Sequence, residues 1–324
     1  MSRQMIPLVM VALLLGGCAI VEPLLPAQAR EAVERNRKCA ELGDLQIAVE
    51  EENAIGSVVA VNWISDGGGL IVDPASRRGA KPAPTKGNQA SRYLNVVGGN
   101  LGAQSERPTL EWTFGILEAS EVNAFSSPGG YVFVTRGLVS EVENMAQLAG
   151  VLAHEIAHVS NRDALQVYGS VKANQCRTAL ATEMAGKEAA TQVTGFDSAI
   201  QSGTAGYLDL NNLTNALQLQ KMGDELVDTI TSKGYAEKDE FEADEVAAGL
   251  LISAGYDPNE YVKFLGKLEA GGSFANHPDP AERQAKLETW LAGQKPSPDA
   301  FGNADYPFTS YAKPSIPKVL AAIR

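Results

Sequence analysis

The segment from Val142 to Ser160 is predicted to be a helix, and it constrains the fold of this 324-residue chain more than any other segment. Its apolar residues recur three and four positions apart, a pattern typical of a helix that buries one side in a core. His154 lies about 200° around the helix from Leu152, and His158 lies one turn further along the same face. The sequence therefore predicts two imidazoles that project together into a cleft. The apolar positions are Met145, Leu148, Ala149, Leu152, Ile156 and Val159.

The segment His154-Glu155-x-x-His158 has a spacing with a chemical reason. One helical turn places two imidazole nitrogens where both can reach one Zn²⁺ at about 2.0–2.1 Å. Glu155 then lies beside the metal without binding it, and it can take a proton from the water that the metal activates. The chain contains only 3 histidines, so a chance match is rare. The alternative is a solvent-facing helix with two ordinary histidines.

A third zinc ligand is expected, because zinc hydrolases generally use three protein ligands and keep one position open. No histidine lies between His158 and His277, so a carboxylate is the natural candidate. A predicted helix offers Glu240 and Glu242, whose side chains point about 200° apart. Spacing leaves both acids open, although Asp244, one turn after Glu240, favours Glu240 as the ligand and Asp244 as the partner of a ligand histidine. The alternative is a solvated acidic helix face.

The N-terminal segment indicates a bacterial lipoprotein signal. Arg3 provides a positive charge, and the apolar run 6–15 is too short to span a bilayer. It ends in Leu15-Gly16-Gly17-Cys18, which resembles a lipobox whose cysteine receives a lipid and becomes the new N-terminus. Ala19 after that cysteine favours the outer membrane, facing the periplasm. The alternative is an ordinary cleaved signal with an incidental cysteine.

Two further cysteines, Cys39 and Cys176, remain if Cys18 is lipidated. In an oxidising compartment they are either joined in one disulfide or remain two unrelated thiols.

The formal net charge of −12 argues against nucleic acid as a partner. Phosphate backbones are bound by clustered Lys and Arg, and no such cluster occurs along the chain. We therefore expect a membrane partner through the lipid and no nucleic-acid partner.

The remaining patterns predict an α+β fold that is mainly helical, with a small sheet along the active-site cleft. The runs 27–42 and 92–101 have helical patterns, whereas 110–117 and 131–135 are rich in β-branched and aromatic residues. The run 47–64 has no clear pattern. The predicted domains are a signal peptide (1–17), a lipidated N-terminus and linker helix (18–43), a zinc metallopeptidase domain (44–295) and a C-terminal tail (296–324).

Four stretches of the chain resemble one known family, the CAAX-prenyl-protease/HtpX zinc metallopeptidases, and within it the periplasmic lipoprotein branch. They are Val122-Asn123-Ala124-Phe125 continuing through Pro128-Gly129-Gly130 to Thr135-Arg136-Gly137-Leu138; His154-Glu155-Ile156-Ala157-His158; Glu240 to Asp244; and His277-Pro278 to Arg283. They follow the family's order. The resemblance implies a zincin-like fold of the HExxH gluzincin type and one Zn²⁺ per chain, with Glu240 as the third ligand and Asp244 as its companion.

The resemblance also implies roles for residues outside the central helices. The strand Tyr131–Thr135 is expected to line the cleft as a sheet edge that pairs with extended substrates. Asn123, Ala124 and Phe125 are then expected near the metal, and the alternative for these three is a turn with core packing.

His277 lies in the fourth stretch, on a loop that in the family approaches the zinc. It is expected to act as a fourth ligand at rest, or as a transition-state donor after rearrangement. Asp279 and Pro280 also form a good helix start, so His277 is alternatively a loop residue before that helix. For Arg283 the choice is between a role in the site and a structural ion pair.

Together these features predict a zinc-dependent endopeptidase that hydrolyses unfolded or misassembled envelope proteins, with extended polypeptides as its partners. One alternative is a chaperone-like outer-membrane assembly factor whose zinc site is largely closed and which contacts the envelope assembly machinery. Another is a structural lipoprotein that zinc stabilises.

Overall fold

The computed structural model describes residues 26–44, 47–72, 86–184, 213–268, 277–294 and 312–323. Cys18 and the signal segment lie outside these residues. The described helices and strands are α1 (Ala27–Asp44), α2 (Val49–Asp66), α3 (Lys86–Gly102), β1 (Thr113–Leu117), β2 (Ala124–Ser127), β3 (Tyr131–Thr135), α4 (Arg136–Glu141), α5 (Met145–Asn161), α6 (Asp163–Met184), α7 (Leu213–Lys233), α8 (Glu237–Ala254), α9 (Pro258–Leu265), α10 (Pro280–Gly293) and α11 (Lys318–Ala321).

The chain divides into two compact units. The first comprises Met1–Glu51 and Leu165–Leu226, and the second comprises Glu52–Ala164 and Val227–Arg324. Among the described residues, no helix is long and apolar enough to cross a membrane.

In the first unit a disulfide joins Cys39 of α1 to Cys176 of α6, with the two Cα atoms 5.5 Å apart. The structure thus contains the bridge, which was one of two alternatives that the sequence left open. A buried ion pair lies in the same unit: Lys172 Nζ is 2.7 Å from Glu51 Oε1, and the Tyr168 hydroxyl donates to the same oxygen. Each of the two buried charges therefore has a partner of opposite charge, which offsets the cost of removing it from water.

The second unit is built around α5, whose residues from Met145 to Ser160 are all buried. The Asn144 side chain begins the helix by accepting a hydrogen bond from the Gln147 N–H, and Arg162, at a left-handed φ of 64°, ends it. Helix α8 packs along α5, and α9 approaches it at Gly150, where a Cβ would lie 2.6 Å from Tyr261. This close packing allows side chains from separate helices to meet.

The sheet has the strand order β1-β3-β2. Strand β3 pairs with β1 in parallel and with β2 in antiparallel. The expectation that Tyr131–Thr135 forms a sheet edge is therefore wrong, because this strand is central and both of its sides are paired. Strand β2 was not predicted, since its four residues, Ala124–Ser127, end in two serines and show no apolar alternation. The fold is otherwise the mainly helical α+β arrangement that the patterns predict.

Candidate metal centre

Four side chains of the second unit converge on one point: His154, His158, Glu240 and His277. One ligand atom of each lies within 4.8 Å of the others. The two Nε2 atoms of His154 and His158 are 3.1 Å apart. The Glu240 carboxylate faces both, with oxygens 3.5 Å from His154 Nε2 and 3.7 Å from His158 Nε2. Helices α5 and α8 therefore bring two imidazoles and one carboxylate together.

The two acids that spacing left open occupy different environments. Glu240 is 0% exposed and belongs to the converging group, whereas Glu242 lies on the exposed side of α8. Helical geometry alone requires this separation, because the two positions are about 200° apart. The packing of α8 against α5 decides which of them faces the imidazoles.

Each helix imidazole is oriented by an aspartate on its outer nitrogen. His154 Nδ1 lies 3.0 Å from Asp244 Oδ1, and His158 Nδ1 lies 2.7 Å from Asp163 Oδ2. A carboxylate on Nδ1 fixes the tautomer and aims Nε2 at the centre. Asp163 was not identified from the sequence. The only available signal was an acid just after the helix that carries the histidines, because the left-handed turn at Arg162 is what brings it back to His158.

Asp244 is itself held by a buried arginine. Arg283, 1% exposed, donates from Nε to Asp244 Oδ2 (2.9 Å) and from Nη2 to Oδ1 (2.6 Å). The Tyr261 hydroxyl donates to the same carboxylate at 2.8 Å. Burial raises the pKa of Asp244, but the charge and hydrogen bonds of Arg283 outweigh burial and keep that pKa far below its usual value. Arg283 thus acts on His154 through a permanently ionised Asp244.

His277 lies just before α10 and points into the group. Its Nδ1 is 2.7 Å from Glu240 Oε2, and its side chain is 6% exposed. Burial lowers the pKa of His277, and the nearby Glu240 charge offsets only part of that effect. Asp279 also caps α10 and Pro280 is its first residue, so the helix-start role and the site position occur together.

The charges of the centre are strongly coupled. Burial and the Arg283 charge lower the pKa of His154, but hydrogen bonds to Asp244 and Glu240 outweigh both and raise it to about 9. Burial raises the pKa of Glu240, whereas the charge of His277 and the His154 hydrogen bond hold it well below its usual value. The carboxylate therefore stays ionised, as a metal ligand must.

Two buried oxygens in the centre have unused hydrogen-bonding capacity. Within the part of the chain that the structure describes, Glu155 Oε1 and Glu240 Oε1 are buried side-chain oxygens that lack a hydrogen-bond partner. Such atoms are costly unless an ion or water satisfies them. Two imidazole nitrogens, one carboxylate and an adjacent second acid match the donor set of catalytic zinc. His154, His158 and Glu240 would hold the ion, and Glu155 would stand beside it.

The comparison with known families agrees with this geometry. Residues 88–291, more than half of the chain, match the model of Peptidase family M48. The chain belongs to peptidase family M48. The His-His-Glu group of the chain is typical of the zinc site of this family.

Relatives of this M48 protein show lower but consistent similarity. It is 26% identical over 270 residues to the beta-barrel assembly-enhancing protease of Yersinia pestis, covering 81% of this chain and 48% of the relative. It is 26% identical over 188 residues to the protein of that name from Escherichia coli (strain K12), covering 58% and 34%. It is 28% identical over 207 residues to the mitochondrial metalloendopeptidase OMA1 of Schizosaccharomyces pombe, covering 61% and 52%. The chain thus spans between about a third and about a half of these relatives.

One further aromatic residue adjoins the M48 centre. The Tyr235 ring packs against His158, with ring centroids 4.5 Å apart and planes at 34°. Burial and the charges of Glu155 and Asp163 raise the pKa of Tyr235 well above its usual value. Sequence reasoning missed this residue, for which the only signal was an aromatic residue just before the helix of Glu240.

The residues Asn123, Ala124 and Phe125 lie at the start of the outer strand β2, which packs against α5. Asn123 Oδ1 accepts a hydrogen bond from the Ala124 N–H, and Phe125 stacks on Trp63 of α2 at 4.7 Å. The contacts of Phe125 are therefore core packing, and β2, not β3, offers a strand edge on this side of the sheet.

Proposed function

We propose that this M48 protein is a zinc-dependent endopeptidase that cleaves unfolded or misassembled polypeptides at a bacterial envelope membrane. One observation carries the proposal: two imidazoles and the Glu240 carboxylate converge beside Glu155, a buried acid with an unpaired oxygen. That arrangement supplies the parts needed for metal-assisted peptide hydrolysis. Asp163 and Asp244 support it by orienting the two rings.

The residues of the centre have separate roles in the proposed hydrolysis. A zinc ion held by His154, His158 and Glu240 would polarise the peptide carbonyl and lower the pKa of a water molecule. Glu155 accepts the proton of the attacking water at its unpaired oxygen and then delivers it to the departing amine. Arg283 holds Asp244 ionised, and Asp244 holds His154 in the tautomer that directs Nε2 inward.

A Glu155→Gln variant tests the proteolytic proposal. It keeps the shape of the side chain but cannot accept the proton, so we expect cleavage of unfolded casein to fall by at least about 100-fold. Zinc content, measured by elemental analysis, should stay near one ion per chain. Glu141→Gln, an exposed acid in α4, is the matched control and should keep full activity. Undiminished cleavage by Glu155→Gln contradicts the proposal.

An extended polypeptide substrate is supported by the outer strand β2, since strand addition reads the backbone more than side chains. The test compares native α-lactalbumin with the same protein after reduction and carboxymethylation. We expect the unfolded form to be cleaved and the native form to resist. Equal cleavage of both forms contradicts this substrate class.

Envelope quality control is proposed from two supports, the lipobox at Cys18 and the relatives named for enhancing beta-barrel assembly. A lipid on Cys18, followed by Ala19, would hold the protein at the outer membrane, facing the periplasm. We expect wild-type protein to sediment with outer-membrane fractions and a Cys18→Ala variant to leave the membrane pellet. A variant that stays in that pellet contradicts lipid anchoring through this residue.

A second candidate function is a chaperone-like assembly factor that contacts the envelope assembly machinery. The contact of His277 with Glu240 at 2.7 Å favours it, because a fourth donor in the group would close the zinc site. Complementation of a deletion strain by Glu155→Gln separates the two functions. Full rescue supports the assembly factor, whereas loss of rescue supports the protease. Inhibition by a zinc-binding hydroxamate would exclude a purely structural zinc site.

A further inference from the structure

Tyr235 occupies the junction between the two helices that lead into the metal centre. Helix α7 ends at Lys233, Gly234 adopts a left-handed φ of 67°, and α8 begins at Glu237. The Gly234 N–H donates to the Ile230 carbonyl at 2.9 Å, which closes the end of α7. This turn sets Tyr235 five residues before Glu240, on the side of the centre where His158 lies.

The two helix imidazoles are supported differently. His154 contacts Asp244 at 3.0 Å and Glu240 at 3.5 Å, and Arg283 Nη2 also lies 3.4 Å from its Nδ1. His158 contacts Asp163 at 2.7 Å and Glu240 at 3.7 Å, and the aromatic ring that lies nearest to it outside α5, among the described residues, is that of Tyr235, at 4.5 Å. The hydrogen bond to Asp163 fixes the position of His158 Nδ1, but it restricts the tilt of the imidazole ring only weakly. A ring packed against the imidazole restricts that tilt.

We propose that Tyr235 is a positioning residue for the ligand His158, and that its aromatic ring, not its hydroxyl, does this. The inference rests on the proposed zinc function. Removing the ring would let the His158 imidazole tilt away from the point that it shares with His154 and Glu240. Metal binding and turnover should then fall together, although Tyr235 is not a member of the converging ligand group.

Three variants separate the ring from the hydroxyl and from general packing. Tyr235→Phe keeps the ring, whereas Tyr235→Leu and Tyr235→Met remove it and keep an apolar side chain. Tyr256→Leu is the matched control: Tyr256 is also partly buried and lies at the other end of α8. Each variant is measured for zinc affinity by chelator competition, for the visible spectrum of its cobalt(II) form, and for kcat and KM.

We expect Tyr235→Phe and Tyr256→Leu to keep zinc affinity within about threefold of wild type and to leave the cobalt spectrum unchanged. Tyr235→Leu and Tyr235→Met should bind zinc at least about tenfold more weakly, shift the cobalt bands and lower kcat more than they change KM. If one of these two variants is unfolded by far-UV circular dichroism, the other decides the result.

The inference is overturned if Tyr235→Phe is as impaired as Tyr235→Leu, or if the folded ring-free variants keep wild-type affinity and cobalt spectra. Failure of the proposed function has a different signature. In that case wild-type protein binds neither zinc nor cobalt, or Glu155→Gln retains full cleavage, whatever the Tyr235 variants do.

Discussion

His158 and Asp163 lie five residues apart, yet the Nδ1 of one is 2.7 Å from Oδ2 of the other. A continuous helix would place these positions about 140° apart around its axis. The chain brings them together because Arg162 takes a left-handed conformation and a new helix starts at Asp163. The inner nitrogen of His158 is therefore aimed by a residue outside the helix that carries it.

An Asp163→Ala variant should weaken zinc binding about 10- to 100-fold, because the His158 ring loses the acceptor that fixes its tautomer. Affinity is measured by competition with a chromophoric chelator. Asp239→Ala is the control: this acid is near enough to interact electrostatically with Asp163 and His158, and it caps neither ring. Equal losses in both variants would mean that only negative charge matters here.

Glu240→Gln should lose bound zinc, since the amide removes the only anionic ligand of the converging group. Glu242→Gln changes the same residue type two positions along the same helix and should keep zinc and activity. Elemental analysis of both purified variants checks this pair. Zinc loss from Glu242→Gln, or retention by Glu240→Gln, would contradict the ligand assignment.

Zinc binding should release a proton from His154 at pH 7.5. The pKa of His154 is raised to about 9, so in metal-free protein its ring is protonated at pH 7.5. The ring must lose that proton to bind zinc. The zinc affinity should consequently increase as the pH rises towards 9, by up to about tenfold per pH unit from this group. Calorimetry in buffers of different ionisation enthalpy counts the protons released. Zinc binding without proton release contradicts the raised pKa.

Breaking the Cys39–Cys176 bridge should destabilise the first unit by about 2–5 kcal/mol, because it closes a loop with a sequence separation of 137. Urea unfolding is compared with and without reductant. The Cys39→Ser/Cys176→Ser double variant should unfold like the reduced protein and should not respond to reductant. Identical curves for oxidised and reduced wild type would show that the bridge adds no stability.

Much of the site was accessible to local reasoning. A helix with histidines one turn apart must present both on one face, whatever it packs against. For this reason the pairing of His154 with His158, and the position of Glu155 beside them, followed from periodicity. Strand β3 was predicted with its observed bounds, Tyr131–Thr135, since β-branched and aromatic residues after a turn signal extended structure locally.

Other features depended on contacts between distant segments. Tyr131–Thr135 is the central strand of the sheet because β2 pairs with its second side. The sequence of β2 shows little sign that this segment forms a strand. The choice of Glu240 over Glu242 was settled by which side of α8 packs on α5.

The sequence by itself determined which side chains carry the chemistry, because ligand types and their spacing within one helix are local properties. Only the tertiary structure decided how the ligand His158 is aimed. Asp163 reaches His158 through a single left-handed residue, and Tyr235 reaches it from the turn before another helix. Such contacts depend on the relative placement of separate helices, which no periodic pattern within either helix encodes.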